Sequence, residues 1–312
     1  MRVTINSSPA NEGDFRQMAD LNSALEAAIS GIQGDFAWHI EDPSTGRAWT
    51  RNAHEAYPAA STLKVAVFLR LLQLVDDGRV GLDHQIRLRR WHQVGGAGVL
   101  QYFSPETSLT VGEVATLMVI LSDNTATNMI IDLTGLGSVN NLVTSLPGAS
   151  RVTRINRYYG KPSMALPDGT HFTAMATAND LATVYREVLA GKILGPIGRQ
   201  AFWQTLLRQQ DRAMAPRHFG PDILIAHKTG AIDGVRNDVG VFWLPDPTGA
   251  DEPQAYDPMV IPNLSDPSGR PIIFVALSRN LGDLRWTVEN AGEAAIGRLA
   301  AAALEYFRNP DH

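Results

Sequence analysis

The 312-residue sequence contains no cysteine, so disulfides, thiolate catalysis and cysteine-ligated zinc are excluded. It also lacks a basic excess: the formal net charge of −5 argues against a nucleic-acid partner or an anionic membrane surface. No apolar run reaches the roughly 18 residues of a membrane span, and none of the histidines stands in a metal-binding motif such as H-E-x-x-H. We therefore expect no metal, cofactor, nucleic acid or membrane span.

The first 15 residues lack the apolar run that follows a basic start in a signal peptide. The sequence as written therefore predicts a cytoplasmic protein, and an extracytoplasmic one if its start has been trimmed. Hydrophobic residues make up 44% and charged residues 19%, which is typical of an ordinary globular protein. We expect a monomer with a single domain over residues 1–312.

Apolar periodicity predicts a helix, two strands, a large helical block, three strands and a final helix. The predicted elements are helices over 14–31, 61–78 and 283–307, helices beginning at Thr110 and Thr177, and strands within 35–52, 222–230, 235–245 and 271–280. Residues 151–175 are predicted to form a long irregular loop, and residues 245–271 a polar, proline-rich excursion on the surface. This order favours an α/β (α+β) fold. Its antiparallel five-stranded sheet is flanked by terminal helices, and an all-helical lobe is inserted into it.

The predicted lobes are residues 14–60 with 220–312, and residues 61–219. A catalytic cleft is expected between them.

The segment Ser61-Thr62-Leu63-Lys64 opens the long apolar helix. Positions i and i+3 share a helix face, so Ser61 and Lys64 can touch. A serine is a poor nucleophile unless a base takes its proton, and a buried lysine with a lowered pKa can be that base. The alternative is a helix-capping serine followed by a surface lysine. The helix is apolar nearly all round, however, which indicates that it is buried and that Lys64 is not solvated.

Two further motifs follow in the chain. In Ser122-Asp123-Asn124, Ser122 could relay a proton to a leaving nitrogen and Asn124 could hold a substrate amide; the alternative is a pair of helix caps. In Lys228-Thr229-Gly230, Lys228 could bind a substrate carboxylate while Gly230 admits a ligand close to the backbone; the alternative is a strand end with a turn. The three motifs in this order have a chance probability on the order of one in several hundred.

This set of motifs resembles that of class A β-lactamases and penicillin-binding proteins. The segments PAASTLK, LSDNTATN and AHKTGAIDGVRND carry the resemblance, which runs from about residue 20 to the C-terminus. The resemblance implies that Ser61 is the acylated serine, that Lys64 is its base or a proton shuttle, and that Ser122 protonates the departing nitrogen.

The resemblance also assigns the residues that bind the substrate. It implies that Asn124 contacts the substrate side-chain amide and that Lys228 and Thr229 bind its carboxylate, with Gly230 beside them. Arg236 is similar to the second carboxylate-binding cation of the family. The backbone N–H groups of Ser61 and Ala231 would form the oxyanion hole. The expected ligand is therefore a small molecule with a carboxylate.

One residue of the family pattern is missing. Class A enzymes carry a glutamate in the long loop, where it activates the water that hydrolyses the acyl-enzyme. Here the corresponding residues 157–164 contain no carboxylate, and the only acid from 151 to 179 is Asp168, beside Gly169 in a predicted turn. General-base catalysis contributes roughly 10²–10⁴-fold, so we expect slow deacylation unless Tyr158, Tyr159, Lys64 or Asp168 substitutes.

Four functions remain open: a β-lactamase-like hydrolase, a D,D-peptidase or penicillin-binding protein, a serine esterase, and a non-catalytic β-lactam or peptidoglycan-fragment sensor. The cations Lys228 and Arg236 weigh against a plain esterase. The missing glutamate favours the peptidase and the sensor, whereas the absence of an export signal weighs against a cell-wall role. The β-lactamase-like hydrolase is the leading interpretation, and residues such as His227 are interpreted as structural.

Overall fold

The computed structural model describes residues 21–160, 171–245, 267 and 269–309. Within these ranges the strands, numbered in chain order, are β1 (Asp35–Asp42), β2 (Arg47–Arg51), β3 (Tyr57–Pro58), β4 (Gln85–Arg87), β5 (Ser108–Thr110), β6 (Arg154–Ile155), β7 (Ala174–Ala176), β8 (Leu224–Ile232), β9 (Val235–Leu244) and β10 (Arg270–Arg279). The five long strands form one antiparallel sheet in the order β2-β1-β10-β9-β8. The predicted fold class is confirmed.

Most helices of the described residues lie in the middle of the chain. They are α1 (described over 21–28), α2 (Lys64–Asp76), α3 (Val111–Ile120), α4 (Asn124–Thr134), α5 (Leu136–Thr144), α6 (Ala178–Leu189), α7 (Pro196–Leu206) and α8 (Ala291–Arg308). The predicted caps are confirmed: Thr110 accepts from the N–H of Glu113 in a capping box, and Thr177 accepts from the N–H of Asp180. No helix in these ranges is long and apolar enough to cross a membrane.

Hairpins at the two ends of the sheet follow from local turn chemistry. In the β1–β2 turn, the Asp42 carboxylate accepts from the Ser44 N–H at 2.9 Å and from the Thr45 hydroxyl at 3.0 Å, and Gly46 supplies the positive φ of 71°. In the β8–β9 hairpin, Gly234 has a φ of 73°. The strands predicted within residues 35–52 are therefore joined by a turn over residues 42–46.

The sheet separates two apolar clusters. One face, with residues such as Ala226, Val239 and Val275, packs on the helical block around α2. The other face, with residues such as Phe242 and Phe274, packs on α1 and α8. Strands β9 and β10 are buried on both faces, which explains the apolar runs over residues 239–244 and 271–277.

Several predicted boundaries need correction. Ser61 precedes the α-helix, in a 3₁₀ turn over Ala60–Leu63, and α2 begins at Lys64. Helix α8 begins at Ala291, because Asn290 caps it through the N–H groups of Gly292 and Glu293; the predicted start at residue 283 is wrong. The loop predicted over 151–175 contains β6 and β7, while its residues 161–170 lie outside the described ranges, as does nearly all of the 245–271 excursion.

Candidate active site

A pocket of about 760 Å³ is lined by residues of the helical block and of the edge strand β8. Five of the predicted site residues contribute to its lining: Ser61, Ser122, Asn124, Thr229 and Ala231. They come from three segments far apart in sequence. The fold therefore brings parts of all three motifs to one concave surface, where small-molecule sites usually lie.

Ser61 is held between a strained residue and the edge strand. Ala60 has a φ of 48°, in the left-handed region that non-glycine residues rarely adopt. On the other side lies Gly230 of β8: a Cβ placed there would stand 2.9 Å from both the Ser61 nitrogen and the Ala59 carbonyl oxygen. Only glycine lets the strand pass this close to the serine. Ser61 lines the pocket, and no hydrogen bond joins its hydroxyl to another of the described residues.

Lys64 is completely buried, as its apolar helix predicts. Its Nζ donates to the Ser122 carbonyl at 2.5 Å, to the Ser122 hydroxyl at 3.2 Å and to Asn124 Oδ1 at 2.8 Å. Burial lowers the pKa of Lys64 well below its ordinary value, and the charge of nearby Lys228 lowers it further. The described contacts thus join Lys64 to the Ser122 loop rather than to Ser61, although a contact with Ser61 was expected from the i, i+3 spacing.

The Ser122-Asp123-Asn124 segment combines structural and pocket-facing roles. Asp123 caps α4 through the Ala126 N–H, and it also accepts from the N–H groups of Val99 and Leu100 at 2.7 and 2.9 Å. Asp123 therefore acts as a helix cap, which is the alternative interpretation of this motif. Ser122 has a φ of 54°, and the Asn124 amide bridges Lys64 and the Gly95 carbonyl.

Lys228 is a second buried cation beside the pocket. Its Nζ donates to the Thr229 carbonyl at 2.7 Å. Burial lowers the pKa of Lys228 to about 8, although Asp211 and Asp238 act in the opposite direction. Asp211 and Thr229 line the pocket, whereas Lys228 is completely buried and is not among the lining residues.

The neighbouring His227 pairs with Asp238, with Nδ1 at 2.9 Å from the carboxylate. It is buried and does not belong to the pocket lining. This contact is consistent with the structural interpretation of His227.

Arg236 does not reach the pocket in this structure, which departs from the prediction of a second carboxylate-binding cation. Its guanidinium donates to Glu293 Oε1 at 3.0 Å and to three backbone carbonyls, those of Ile232, Val235 and Arg285. The indole of Trp286 covers it, with the guanidinium carbon 4.4 Å from the ring centroid. The side chain is consequently buried and its donors are used within the protein.

The loop that lacks a glutamate places Tyr159 against the site. The Tyr159 N–H donates to Asn128 Oδ1, and its carbonyl accepts from Asn128 Nδ2, so α4 fixes this backbone from both sides. The Tyr159 hydroxyl donates to the Ala60 carbonyl at 3.2 Å, and its ring lies 4.7 Å from Lys64 Nζ. Asp168 lies outside the described residues.

Trp286, which lines the pocket, is absent from the predicted set, and Tyr159, which also lines it, was considered only as a substitute for the missing glutamate. Neither belongs to a motif. Only the comparison of its loop with the family pattern could have pointed to Tyr159. Trp286 lies in a segment that the sequence predicts as part of a helix. Their positions follow from tertiary packing, which periodicity does not report.

The comparisons with known proteins agree with this fold. The beta-lactamase enzyme family matches residues 20–249. The chain belongs to this family. A beta-lactamase of Streptomyces fradiae is 29% identical over 233 residues, which cover 71% of this chain and 72% of that protein.

Two solved structures are similar over nearly their whole length. The crystal structure of a beta-lactamase from Sphaerobacter thermophilus has 29% sequence identity and a TM-score of 0.75, covering 92% of this chain and 96% of that one. A structure described as PBP-A has 26% identity and a TM-score of 0.73, covering 92% and 95%. Both a named beta-lactamase and PBP-A therefore share this architecture.

Proposed function

We propose that the chain is a β-lactamase-like serine hydrolase in which β-lactams or related amides acylate Ser61 and the acyl-enzyme is released slowly. The observation that carries the proposal is the buried Lys64 Nζ, 3.2 Å from the Ser122 hydroxyl in the pocket that Ser61 also lines. A lysine whose pKa is lowered by burial is a suitable base for a serine. Membership of the beta-lactamase family supports the same chemistry.

The proposed acylation uses the side chains of Ser61, Lys64 and Ser122. Neutral Lys64 takes the hydroxyl proton as Ser61 Oγ bonds to the amide carbonyl carbon. The proton then passes through Ser122 to the amide nitrogen, whose bond to the carbonyl carbon breaks. The backbone N–H groups of Ser61 and Ala231 are proposed to stabilise the oxyanion, and the approach of β8 at Gly230 supports this arrangement.

Substrate binding is assigned to the β8 side of the pocket. Lys228 and Thr229 are proposed to hold a substrate carboxylate, and Asn124 to contact an amide of the substrate. The Arg236 guanidinium makes four hydrogen bonds within the protein, whereas the Lys228 Nζ makes one among the described residues, to the Thr229 carbonyl, so Lys228 is proposed to supply the cationic charge for the carboxylate. The proposed ligand is therefore a small anionic amide.

Slow deacylation is proposed because, among the described residues of the long loop, it is a tyrosine and not a carboxylate that lies beside Lys64. Residues 157–160 contain no carboxylate, and Tyr159 fills the place next to the lysine. Burial raises the pKa of the Tyr159 phenol, so it stays protonated at neutral pH and is unsuited to act as a general base. This argues against Tyr159 as a substitute for the missing glutamate, and it favours a D,D-peptidase or penicillin-binding activity as the second candidate function.

Intact-protein mass spectrometry after mixing with a penicillin tests the proposal. We expect an adduct with the mass of the whole penicillin that persists for many minutes, and no adduct on the Ser61→Ala variant. A chromogenic β-lactam should give a burst equal to the enzyme concentration, followed by slow turnover. Rapid steady turnover without a burst would contradict slow deacylation, and absence of both adduct and product would contradict the hydrolase assignment.

A further inference from the structure

Trp286 is an exposed aromatic residue at the pocket. Its side chain lines the cavity, yet 63% of the residue's surface is accessible to solvent. A large apolar side chain at the edge of a concave site is available for contact with a ligand, and tryptophan is among the residues that contribute most per contact in binding sites. Trp286 is therefore a candidate for direct contact with the substrate.

The indole is held in one orientation. Its Nε1–H donates to Asp233 Oδ1 at 2.9 Å, and its face lies on the Arg236 guanidinium. The segment that carries it is fixed as well, because the Asn290 amide donates to the carbonyls of Asp283 and Arg285. A fixed aromatic surface loses little conformational entropy when a ligand packs on it.

The position of Trp286 relative to β8 defines which part of a substrate it meets. Asp233, which holds the indole, follows Ala231 and Ile232, and both of these residues line the pocket. Thr229, the proposed carboxylate contact, lies on the same strand. With a carboxylate held at Thr229, a group on the carbon that bears it would have the lining residues Ala231 and Ile232 between it and the indole.

We infer that Trp286 is a specificity-determining residue that selects substrates with an apolar or aromatic substituent on the carbon next to the carboxylate. The inference rests on the proposed function, because it uses the carboxylate contact at Lys228 and Thr229. In the same position Trp286 keeps Arg236 covered, so the pocket gains an aromatic surface where a second cation was expected.

A matched pair of thioesters tests this inference. Both have the form acyl–S–CHX–COO⁻, with hydrogen as X in one and benzyl in the other. Acylation forms the bond from Ser61 Oγ to the acyl carbon, breaks the C–S bond and transfers the serine proton to the departing thiolate, which a thiol reagent detects. We expect the second-order acylation rate constant to be about tenfold higher for the benzyl compound, a ratio within reach of one aromatic contact.

Variants at two exposed positions separate specificity from folding. Trp286→Ala should bring the benzyl-to-hydrogen ratio to about one, and Trp286→Phe should keep most of it. Leu284→Ala removes another exposed apolar side chain of the same segment, one that does not line the pocket, and should leave the ratio unchanged within about twofold.

The inference fails if the native ratio is near one, if Trp286→Ala keeps the native ratio, or if that variant slows both substrates equally. In each of these cases acylation itself still occurs, so the proposed function stands. If neither thioester releases thiol and no adduct forms on Ser61, the proposed function fails and the inference fails with it.

Discussion

Lys228 keeps a cationic side chain in a buried place, and this makes its charge sensitive to pH near neutrality. Burial lowers its pKa to about 8, so the ammonium is present below that pH and is lost above it. If Lys228 holds the substrate carboxylate, KM should rise as the pH increases from 7 to 9, approaching a tenfold increase per pH unit above 8. Steady-state or acylation kinetics over this range measure the effect.

The methyl ester of the same substrate is the matched control for Lys228. It lacks the carboxylate charge, so its KM should stay nearly constant over the same pH interval. Parallel curves for the acid and the ester would show that another group titrates and that Lys228 does not bind the carboxylate.

Tyr159 is expected to lengthen the lifetime of the acyl-enzyme, because its ring occupies the space next to Lys64 where a hydrolytic water would be activated. Tyr159→Ala opens this space, and we expect the deacylation rate constant to rise about tenfold, below the 10²–10⁴-fold effect of a dedicated general base. Tyr159→Phe keeps the ring and should change the rate by less than about threefold. Decay of the adduct by mass spectrometry gives both values.

Tyr158→Ala is the matched control for this experiment. That ring packs against Trp91, so its removal should leave adduct decay unchanged. Equal acceleration by Tyr159→Phe and Tyr159→Ala would assign the effect to the hydroxyl and its bond to the Ala60 carbonyl instead of the ring.

Among single residues, the three sequence motifs predicted several of the side chains that lie at the pocket and the burial of Lys64. Ser61, Ser122 and Thr229 line one pocket, and Lys64 is buried as the apolar α2 sequence indicates. The engagement of Arg236 was not predictable, because its partners at 285, 286 and 293 are about 50 residues away in the chain. Contacts of this kind depend on how α8 packs on the sheet.

At the scale of elements, the contact between β8 and the turn that carries Ser61 is the most sensitive point. In Gly230→Ala the new Cβ would lie 2.9 Å from backbone atoms of Ala59 and Ser61, closer than ordinary contacts allow. We expect a stability loss of about 1–3 kcal/mol and an acylation rate at least 100-fold lower, because the strand must move away from the serine. Denaturant unfolding and acylation kinetics measure the two effects.

Gly137→Ala serves as the control for Gly230→Ala. Gly137 lies in α5, and a Cβ there meets nothing within 4 Å. This substitution should stabilise the protein by about 0.5–1 kcal/mol and leave acylation unchanged. If Gly230→Ala acylated normally, the close approach of β8 would have no role in the reaction.

The sequence predicted some helix boundaries correctly and misplaced others. The caps at Thr110 and Thr177 were predictable because the capping residue and its partner are three positions apart. The start of α8 was misplaced although Asn290 and Glu293 form a recognisable start signal. The error arose because the residues just before Asn290 also read as helical, whereas Asp283 accepts from the Arg285 and Ala291 N–H groups in a turn.

At the scale of the whole molecule, the pocket lies where the inserted helical block meets the free edge of the sheet. The chain leaves the sheet after β2 and returns at β8, which is an edge strand and therefore has one side without a strand neighbour. The order of elements was enough to predict this arrangement. The side-chain pairs that join the block to the sheet were not predictable, because they connect residues far apart in the chain: Trp203 and Trp243 are 40 positions apart, and Glu41 and Arg186 are 145 apart.

One such pair should control the acid stability of the fold. Glu41 of β1 is buried and accepts from Arg186 Nε of α6 at 2.7 Å and from His39 at 2.8 Å. Burial alone would raise the pKa of Glu41, but the hydrogen bonds from Arg186 and His39 lower it from an ordinary value of 4.5 to about 2. A lowered pKa means that the unfolded state binds the proton more readily, so this contribution is present above pH 4.5 and is lost as the pH falls toward 2.

The unfolding free energies of the native protein and of Glu41→Gln should therefore differ most at pH 6 and converge on acidification. We expect a difference of about 2 kcal/mol at pH 6 that shrinks between pH 4.5 and pH 2, measured by urea unfolding at each pH. Glu106→Gln removes an exposed partner of Arg89 and should show no such convergence, because exposed ion pairs contribute little. A difference independent of pH at Glu41 would mean that packing, and not the ion pair, joins α6 to the sheet.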